Sequence, residues 1–206
     1  DAAIGAIFDA AVTGGLRIAP EDITLVSLST TLATNTLAEG QRGRVCLLLI
    51  GYDRALMHEY GFERELATDD VVYLAGGHDG LGNEVAPLDE AAAREAILAR
   101  KEQVEAFAVS GYFSVRNPAH ELRARELVEE LAGAPVTCGH ELTSQLNAVR
   151  RATTVALNAH LIAPLAELLG AVQATLARRE INAPLMVVKG DGSLVRADFA
   201  RRRPIE

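Results

Sequence analysis

The chain has 206 residues, of which 49% are hydrophobic and 23% are charged, and its formal net charge is -8. The composition is that of a globular protein, with length for one large domain or two small ones. The negative charge argues against nucleic acid as a partner, because nucleic-acid binders need a basic face that neutralises phosphates. We see no signal peptide and no apolar run near the ~20 residues that span a bilayer, so we expect no membrane partner.

The two cysteines point to a reducing compartment. Cys46 lies inside the apolar run 45–50, where a small buried hydrophobe is expected, and Cys138 is far away in the sequence. A disulfide framework needs more cysteines at closer spacing, so we expect a cytoplasmic protein.

Hydrophobic patterning predicts helices that alternate with strands along the whole chain. The predicted helices cover residues 2–11, 30–38, 53–60, 89–101 with Asp89 as N-cap, 117–133 with Asn117 as N-cap, and 143–177 with a kink or break at Pro164. The predicted strands are 23–28, 45–50, 70–74, 104–113, 135–138 and 183–188, the last strand of the chain. This order predicts an α/β architecture with a largely parallel sheet.

A glycine-dense loop, Gly76-Gly77-His78-Asp79-Gly80-Leu81-Gly82-Asn83, interrupts the alternation. It lacks the Gly-Lys-Ser/Thr ending of a P-loop and the spacing of a dinucleotide fingerprint, so a surface hairpin or turn is favoured over a phosphate site. The only candidate subdomain boundary that we find in the sequence is here, at residues 75–87.

Three histidines follow separate predicted strands or begin helices: His78, His120 and His140. Neutral imidazoles from separate strand ends suit zinc and related ions, so the three are candidate metal ligands, with Asp79 beside the first of them. They show no short-range ligand spacing. The alternative is that each histidine bonds locally to backbone or to a glutamate, which the spacing alone favours.

Hydroxyl and amide side chains cluster at the start of the helix predicted at 30–38. Thr30, Thr31, Thr34 and Asn35 are candidate substrate-binding residues, since such groups at a helix N-terminus hold anionic or amide-bearing ligands. Helix capping by Ser29 or Thr30 is the alternative, and both interpretations stay open.

Seven segments in chain order resemble motifs of the ATP-dependent hydantoinase/oxoprolinase family, in its N-terminal region. They are Thr30-Thr31-Leu32-Ala33-Thr34-Asn35, Gly51-Tyr52-Asp53, Pro87-Leu88-Asp89, Asn117-Pro118-Ala119-His120-Glu121, Gly139-His140-Glu141, the run from Thr153 to Ala159, and Gly190-Asp191-Gly192-Ser193-Leu194. The His-Gly that usually precedes the first motif is Leu28-Ser29 here, which counts against strict hydantoinase chemistry. No single motif is specific, whereas the ordered series is.

The resemblance implies part of an actin/sugar-kinase/Hsp70-like ATPase fold and a parent enzyme that hydrolyses a hydantoin or 5-oxoproline-like cyclic amide with ATP and Mg²⁺. Such folds grip phosphate with Asp-x-Gly-Gly-Thr loops, which do not occur in the sequence. The chain also begins with Asp rather than Met. We therefore expect residues 1–206 to be an interior segment between two such loops, inactive and cofactor-free by itself.

Two further interpretations stay open at this stage. One is a piece of a related ATP-dependent carboxylase, a branch of the family that implies a transition metal. The other is a non-catalytic binding or assembly module. In either case we expect a partner subunit or a homo-oligomer, and the enzyme interpretation adds a small cyclic amide as ligand.

Overall fold

The computed structural model describes residues 6, 19–31, 35 and 43–205. The strands are β1 (Val26–Leu28), β2 (Val45–Ile50), β3 (Val71–Leu74), β4 (Gly77–His78), β5 (Glu84–Ala86), β6 (Ala106–Gly111), β7 (Val136–Cys138), β8 (Leu185–Val188) and β9 (Leu194–Arg196). The helices are α1 (Arg54–Glu59), α2 (Glu90–Arg100), α3 (Ala119–Leu131), α4 (Gly139–Leu142), α5 (Ala148–Arg178) and α6 (Ala197–Arg202). Two short 3₁₀ turns, Pro20–Asp22 and Phe62–Glu65, complete the described elements.

The chain forms two compact units, residues 40–163 with 205 and residues 1–39 with 164–204 and 206. The loop 75–87, considered above as a subdomain boundary, lies inside the larger unit. That unit is built on a parallel four-stranded sheet of order β3-β2-β6-β7. The largely parallel α/β fold expected from the sequence is confirmed.

Strand β2 is the centre of the larger unit because its two faces are both covered. All six residues are buried, and alternate side chains enter different clusters. Leu47 and Leu49 pack with small residues of α5, whereas Cys46, Leu48 and Ile50 pack with α2 and α3. A continuous apolar run is what a parallel strand between two helical layers requires.

Asp89 caps its helix as the sequence predicts, whereas the cap predicted at Asn117 is shifted by one residue. Asp53 accepts the N–H groups of Ala55 and Leu56, and Asp89 accepts that of Ala92. The helix expected to begin at Asn117-Pro118 begins one residue later, with Pro118 in the N-cap position. Asn117 stands one residue before that cap, where its Oδ1 accepts the Ala119 N–H at 3.0 Å.

The glycine-dense segment is the hairpin of β4 and β5, as the surface-hairpin interpretation expects. Asp79 shapes its turn, since Oδ1 accepts the N–H groups of Leu81 and Asn83 at 2.8 and 2.9 Å.

In the smaller unit, β1 pairs parallel to β8, and β8 pairs antiparallel to β9. The prediction that residues 183–188 hold the last strand is wrong, because β9 and α6 follow it. The short run 194–196 is exposed or half-buried and therefore carries little hydrophobic signal. Leu165, Leu169 and Val187 belong to the core of this unit.

Helix α5 continues through Pro164, where the sequence suggested a kink or break. Residues 148–163 belong to the larger unit and 164–178 to the smaller one. An 18-residue window of this helix has a mean hydropathy of 1.6, enough by length and composition to cross a membrane, contrary to the expectation above. Half of that window is buried inside the protein, as in the core helix of a globular domain.

Two predicted helices cannot be compared. The helix at 2–11 lies outside the described residues except for Ala6, and that at 30–38 does so except for residues 30, 31 and 35.

Candidate functional site

The candidate site lies at the carboxyl edge of the four-stranded sheet. From the central pair β2 and β6, the chain moves outward in opposite directions, to β3 on one side and β7 on the other. In open α/β sheets such a switch point forms a crevice where ligands bind. The loops that begin at Gly51 and Gly111 border this point.

A buried carboxylate ties the end of β6 to the end of β7. Oε1 of Glu121 accepts the Gly111 N–H at 2.7 Å, and Oε2 accepts the His140 N–H at 3.0 Å. The same Oε2 lies 2.5 Å from Nδ1 of His140, and the Glu121 side chain has no exposed surface. A buried carboxyl group needs such donors, because burying it without hydrogen-bond partners would cost several kcal/mol.

Arg151 supplies the buried positive charge of this region. Its Nη2 donates to the carbonyl oxygens of Gly111 and Tyr112 at 2.8 and 2.5 Å, and Nη1 donates to that of Gln145 at 2.7 Å. The residue is only 1% exposed. The planar fork of arginine therefore holds the loop after β6 in place.

Gly139 is required between these two charges. A Cβ at this position would lie 3.0 Å from Cγ and 3.2 Å from Cδ of Arg151, and 3.2 Å from Oε1 of Glu121. A side chain here would push apart the groups that position His140.

One group in the described part of the chain could hold a metal ion. It consists of Glu121, Cys138 and His140, whose ligand atoms all lie within 4.8 Å of one another. Burial, and then the Glu121 charge, raise the pKa of the Cys138 thiol to about 12. A metal would have to replace this proton and break the contact between His140 Nδ1 and Glu121 Oε2, while Glu121 already accepts two backbone N–H groups. The donor types suit zinc, but the present hydrogen bonds compete with it.

Tyrosines line the switch point itself. The hydroxyl of Tyr52 donates to the carbonyl oxygen of Ala148 at 2.8 Å and lies 2.9 Å from Oγ of Ser110. Burial raises the pKa of Tyr52 to about 12, so this hydroxyl stays protonated. The rings of Tyr52 and Tyr112 meet edge to face at 5.2 Å, and Tyr112 is 42% exposed. Tyr112 thus offers an aromatic surface at the switch point.

The histidines of the hairpin region form a second cluster. Nδ1 of His120 accepts the Gly77 N–H at 3.1 Å, so the ring proton lies on Nε2, 2.7 Å from Oε1 of Glu84. The ring of His78 stacks on it with centroids 4.3 Å apart. Burial, and then His120, lower the pKa of His78 below its ordinary value.

The three predicted metal ligands are therefore divided between two clusters. His120 bonds to backbone and Glu84, and His140 bonds to Glu121, which is the local bonding that the sequence offered as the alternative. In the described residues the three do not form one close group of ligand atoms. Metal binding by His78, His120 and His140 stays a prediction.

The predicted substrate-binding residues belong to the smaller unit. Thr34 lies outside the described residues, and Thr30 and Thr31 are exposed. Asn35 N–H donates to the Thr31 carbonyl at 2.9 Å, and its Nδ2 donates to Thr31 Oγ1 at 3.3 Å. A substrate role for these residues stays a prediction.

Sequence reasoning did not identify Glu121 and Arg151 as parts of a site. In the sequence, Glu121 is an acidic residue in the first turn of a predicted helix. Arg151 is one of several arginines in a long predicted helix. The only sequence signal is that Glu121 follows His120 in a family-like motif, while their long-range partners depend on the sheet topology.

Comparison with known proteins places the chain in a family. The model of the hydantoinase/oxoprolinase N-terminal region matches residues 1–132. The chain belongs to the hydantoinase/oxoprolinase family. The resemblance read from the ordered motifs is thus confirmed.

Two curated members are similar over most of the chain. The caprolactamase subunit alpha of Pseudomonas jessenii is 29% identical over 201 residues, covering 89% of this chain and 29% of that protein. The acetophenone carboxylase gamma subunit of Aromatoleum aromaticum is 26% identical over 198 residues, covering 82% of this chain and 27% of that protein. The chain therefore spans less than a third of the length of these relatives.

Solved structures share the fold. The crystal structure of the ATP-dependent caprolactamase from Pseudomonas jessenii has a TM-score of 0.80 and 28% identity, covering 95% of this chain and 31% of that one. A nucleotide-free acetone carboxylase has a TM-score of 0.73 at 18% identity, covering 94% and 32%, which shows the fold alone. The expected actin-like ATPase class of fold is consistent with both.

Proposed function

We propose that the protein to which this chain belongs uses ATP to open a cyclic amide. The observation that carries the proposal is the similarity to an ATP-dependent caprolactamase across 95% of the chain, with a TM-score of 0.80. Hydantoin and 5-oxoproline remain candidate substrates from the sequence resemblance, and a lactam joins them.

The chemistry needs a polarised ring carbonyl and a proton acceptor. Transfer of phosphate to the amide oxygen would make the ring carbon electrophilic enough for water to attack. The carboxyl edge of the larger unit offers a buried carboxylate bonded to an imidazole, and an exposed aromatic surface on Tyr112. We therefore assign binding of the cyclic amide to this edge of the sheet.

Nucleotide binding is assigned to other parts of the protein. The sequence contains no Asp-x-Gly-Gly-Thr loop, so no residue here is given a role in holding Mg²⁺ or ATP phosphates. The relatives named above are subunits of larger enzymes by name, which supports a partner subunit for this protein as well.

Substrate-dependent ATP consumption tests the proposal. The whole protein, with any subunit that copurifies, is incubated with Mg-ATP and ε-caprolactam, hydantoin or 5-oxoproline. We expect ADP release together with the ring-opened acid for at least one of these amides. ADP release that no cyclic amide stimulates would refute it.

A carboxylase is the second candidate, because the acetophenone carboxylase gamma subunit is similar over 82% of the chain. The same assay separates the two functions. A carboxylase would release ADP only when a ketone such as acetophenone and bicarbonate are supplied together.

A further inference from the structure

We propose that Tyr112 is a specificity residue that binds the ring of the substrate, and that the ring it selects is a cyclic amide made mainly of methylene groups. The inference rests on the function proposed above. It goes further by naming the side chain that the ring contacts, and by choosing an uncharged lactam over hydantoin and 5-oxoproline.

The backbone of Tyr112 is fixed at both of its polar groups. Its N–H donates to the carbonyl oxygen of Ile50 at 3.0 Å, which ties the residue to the end of β2. Its carbonyl oxygen accepts Nη2 of the buried Arg151. Residues in loops are usually more mobile than this. Because the backbone is held before a ligand arrives, binding to this side chain costs little conformational entropy.

The side chain of Tyr112 packs on two other aromatic rings. It meets Tyr52 edge to face with centroids 5.2 Å apart, and Phe113 edge to face at 4.9 Å. Tyr52 is buried and donates its hydroxyl to the Ala148 carbonyl, so it is a rigid support. Tyr112 nevertheless keeps 42% of its surface exposed. A fixed and partly open aromatic ring is a surface on which a small ring can pack.

Polar side chains next to Tyr112 are already paired within the protein. Oγ of Ser114 donates to the Gly111 carbonyl at 3.0 Å, and both terminal nitrogens of Arg151 donate to backbone carbonyls. These groups therefore offer little to the carboxylate of 5-oxoproline or to the second carbonyl of hydantoin, which would lose hydration without gaining a partner. Methylene groups gain free energy when they leave water for an aromatic surface.

Tyr112 also lies at the point of the sheet where a ligand is expected. It follows β6 directly, and its bond to Ile50 places it where β2 and β6 end side by side, at the switch point. Tyr60 is a matched control at another position. It follows α1, stacks on Phe62 with centroids 5.8 Å apart and is 65% exposed.

The test uses the whole protein, with any subunit that copurifies, and measures ring opening by Tyr112→Ala, Tyr112→Phe and Tyr60→Ala. We expect Tyr112→Ala to raise KM for ε-caprolactam about tenfold with little change in kcat, because the lost contact is made equally in the ground state and the transition state. Tyr112→Phe keeps the aromatic surface, so its KM should stay within about threefold of wild type, as should that of Tyr60→Ala.

Ring size supplies a second readout. ε-Caprolactam has more methylene groups than γ-butyrolactam, so the wild type should prefer it in kcat/KM, and Tyr112→Ala should reduce that preference. General damage to the protein would slow both lactams alike and leave the ratio unchanged. An unchanged KM for ε-caprolactam, an unchanged ratio, or a rise in KM for Mg-ATP instead of the lactam would overturn the assignment of Tyr112.

The wild-type protein separates this inference from the proposed function. Opening of hydantoin or 5-oxoproline but of neither lactam would overturn the ring class and leave the proposed function standing. ADP release that no cyclic amide stimulates would overturn the proposed function, and the inference with it.

If Tyr112→Ala does not fold, Tyr112→Trp tests the same contact, because it keeps an aromatic surface and adds a fluorophore. Addition of ε-caprolactam should change the emission of this variant relative to wild type. No change at a saturating concentration of the lactam would overturn the role of Tyr112.

Discussion

The rings of His78 and His120 lie 4.3 Å apart between centroids and are tilted by 44°. Because Nδ1 of His120 accepts the Gly77 N–H, protonating it would break that bond. The stack also disfavours protonation of His78, whose pKa is lowered by burial and by its neighbour.

The folded protein should become less stable as the pH is lowered, because of His78. Its ordinary pKa is 6.5 and the folded value is lower, so below pH 6.5 the unfolded chain binds a proton that the folded chain resists. The free energy of unfolding falls by about 1.4 kcal/mol for each unit by which folding lowers the pKa of His78. The full loss is reached only at a pH below the pKa of the folded protein. Urea unfolding at pH 7.5 and 5.5 should show a smaller loss for His78→Phe than for wild type. An exposed-histidine variant, His58→Gln, should keep the wild-type loss, and equal losses in all three would contradict the argument.

Replacing Glu121 by Gln should destabilise the larger unit. The amide NH₂ would face an N–H donor in place of a carboxylate oxygen, which leaves buried donors unsatisfied. We expect about 1–3 kcal/mol of lost stability, measured by urea denaturation.

Glu126→Gln is the control for that variant. Glu126 lies on the same helix, pairs with Arg123, and its side chain is 62% exposed. It should stay within about 0.5 kcal/mol of wild type. Equal effects of the two variants would show that the buried contacts of Glu121 do not matter.

Two glycine-to-alanine substitutions should change the stability of the protein in opposite directions. Gly139→Ala places a methyl group 3.0 Å from Cγ of Arg151 and should cost about 1–3 kcal/mol. Gly170→Ala, inside α5 with nothing within 4 Å of the new Cβ, should gain about 0.5–1 kcal/mol. Thermal and urea unfolding of both variants measure the difference. A neutral Gly139→Ala would mean that Arg151 and Glu121 can move apart freely.

Cobalt tests the cluster of Glu121, Cys138 and His140 for metal binding. A bound Co²⁺ would deprotonate Cys138 and give a thiolate-to-cobalt absorption band. We expect no such band, because Glu121 already accepts two backbone N–H groups and contacts His140 Nδ1, and burial raises the pKa of the thiol to about 12. A band that Cys138→Ser abolishes and Cys46→Ser preserves would assign a metal site here instead.

Local patterns in the sequence predict much of the fold. The apolar run 45–50 is β2 residue for residue, and Asp89 caps α2 as expected. Both depend only on neighbours in the chain. The shift of the α3 cap from Asn117 to Pro118 reflects a long-range contact, since Asn117 Nδ2 donates to the Gly82 carbonyl at 3.0 Å.

The site is harder to predict because its contacts join distant parts of the chain. His140 was identified from its place after a strand, but its partner Glu121 lies on the helix before that strand. Arg151 reaches the carbonyls of Gly111 and Tyr112 only because α5 packs on the sheet. Such pairings follow from strand order, which hydrophobic periodicity does not specify.

The central position of β2 has a consequence for biosynthesis. Six consecutive uncharged residues, Val45–Ile50, leave the ribosome well before β6, their longer partner strand, which begins only at Ala106. Translation proceeds at about 5–20 residues per second, so β2 remains unpaired with β6 for several seconds. A nascent chain paused in this interval would expose a segment whose uncharged, β-prone composition favours aggregation.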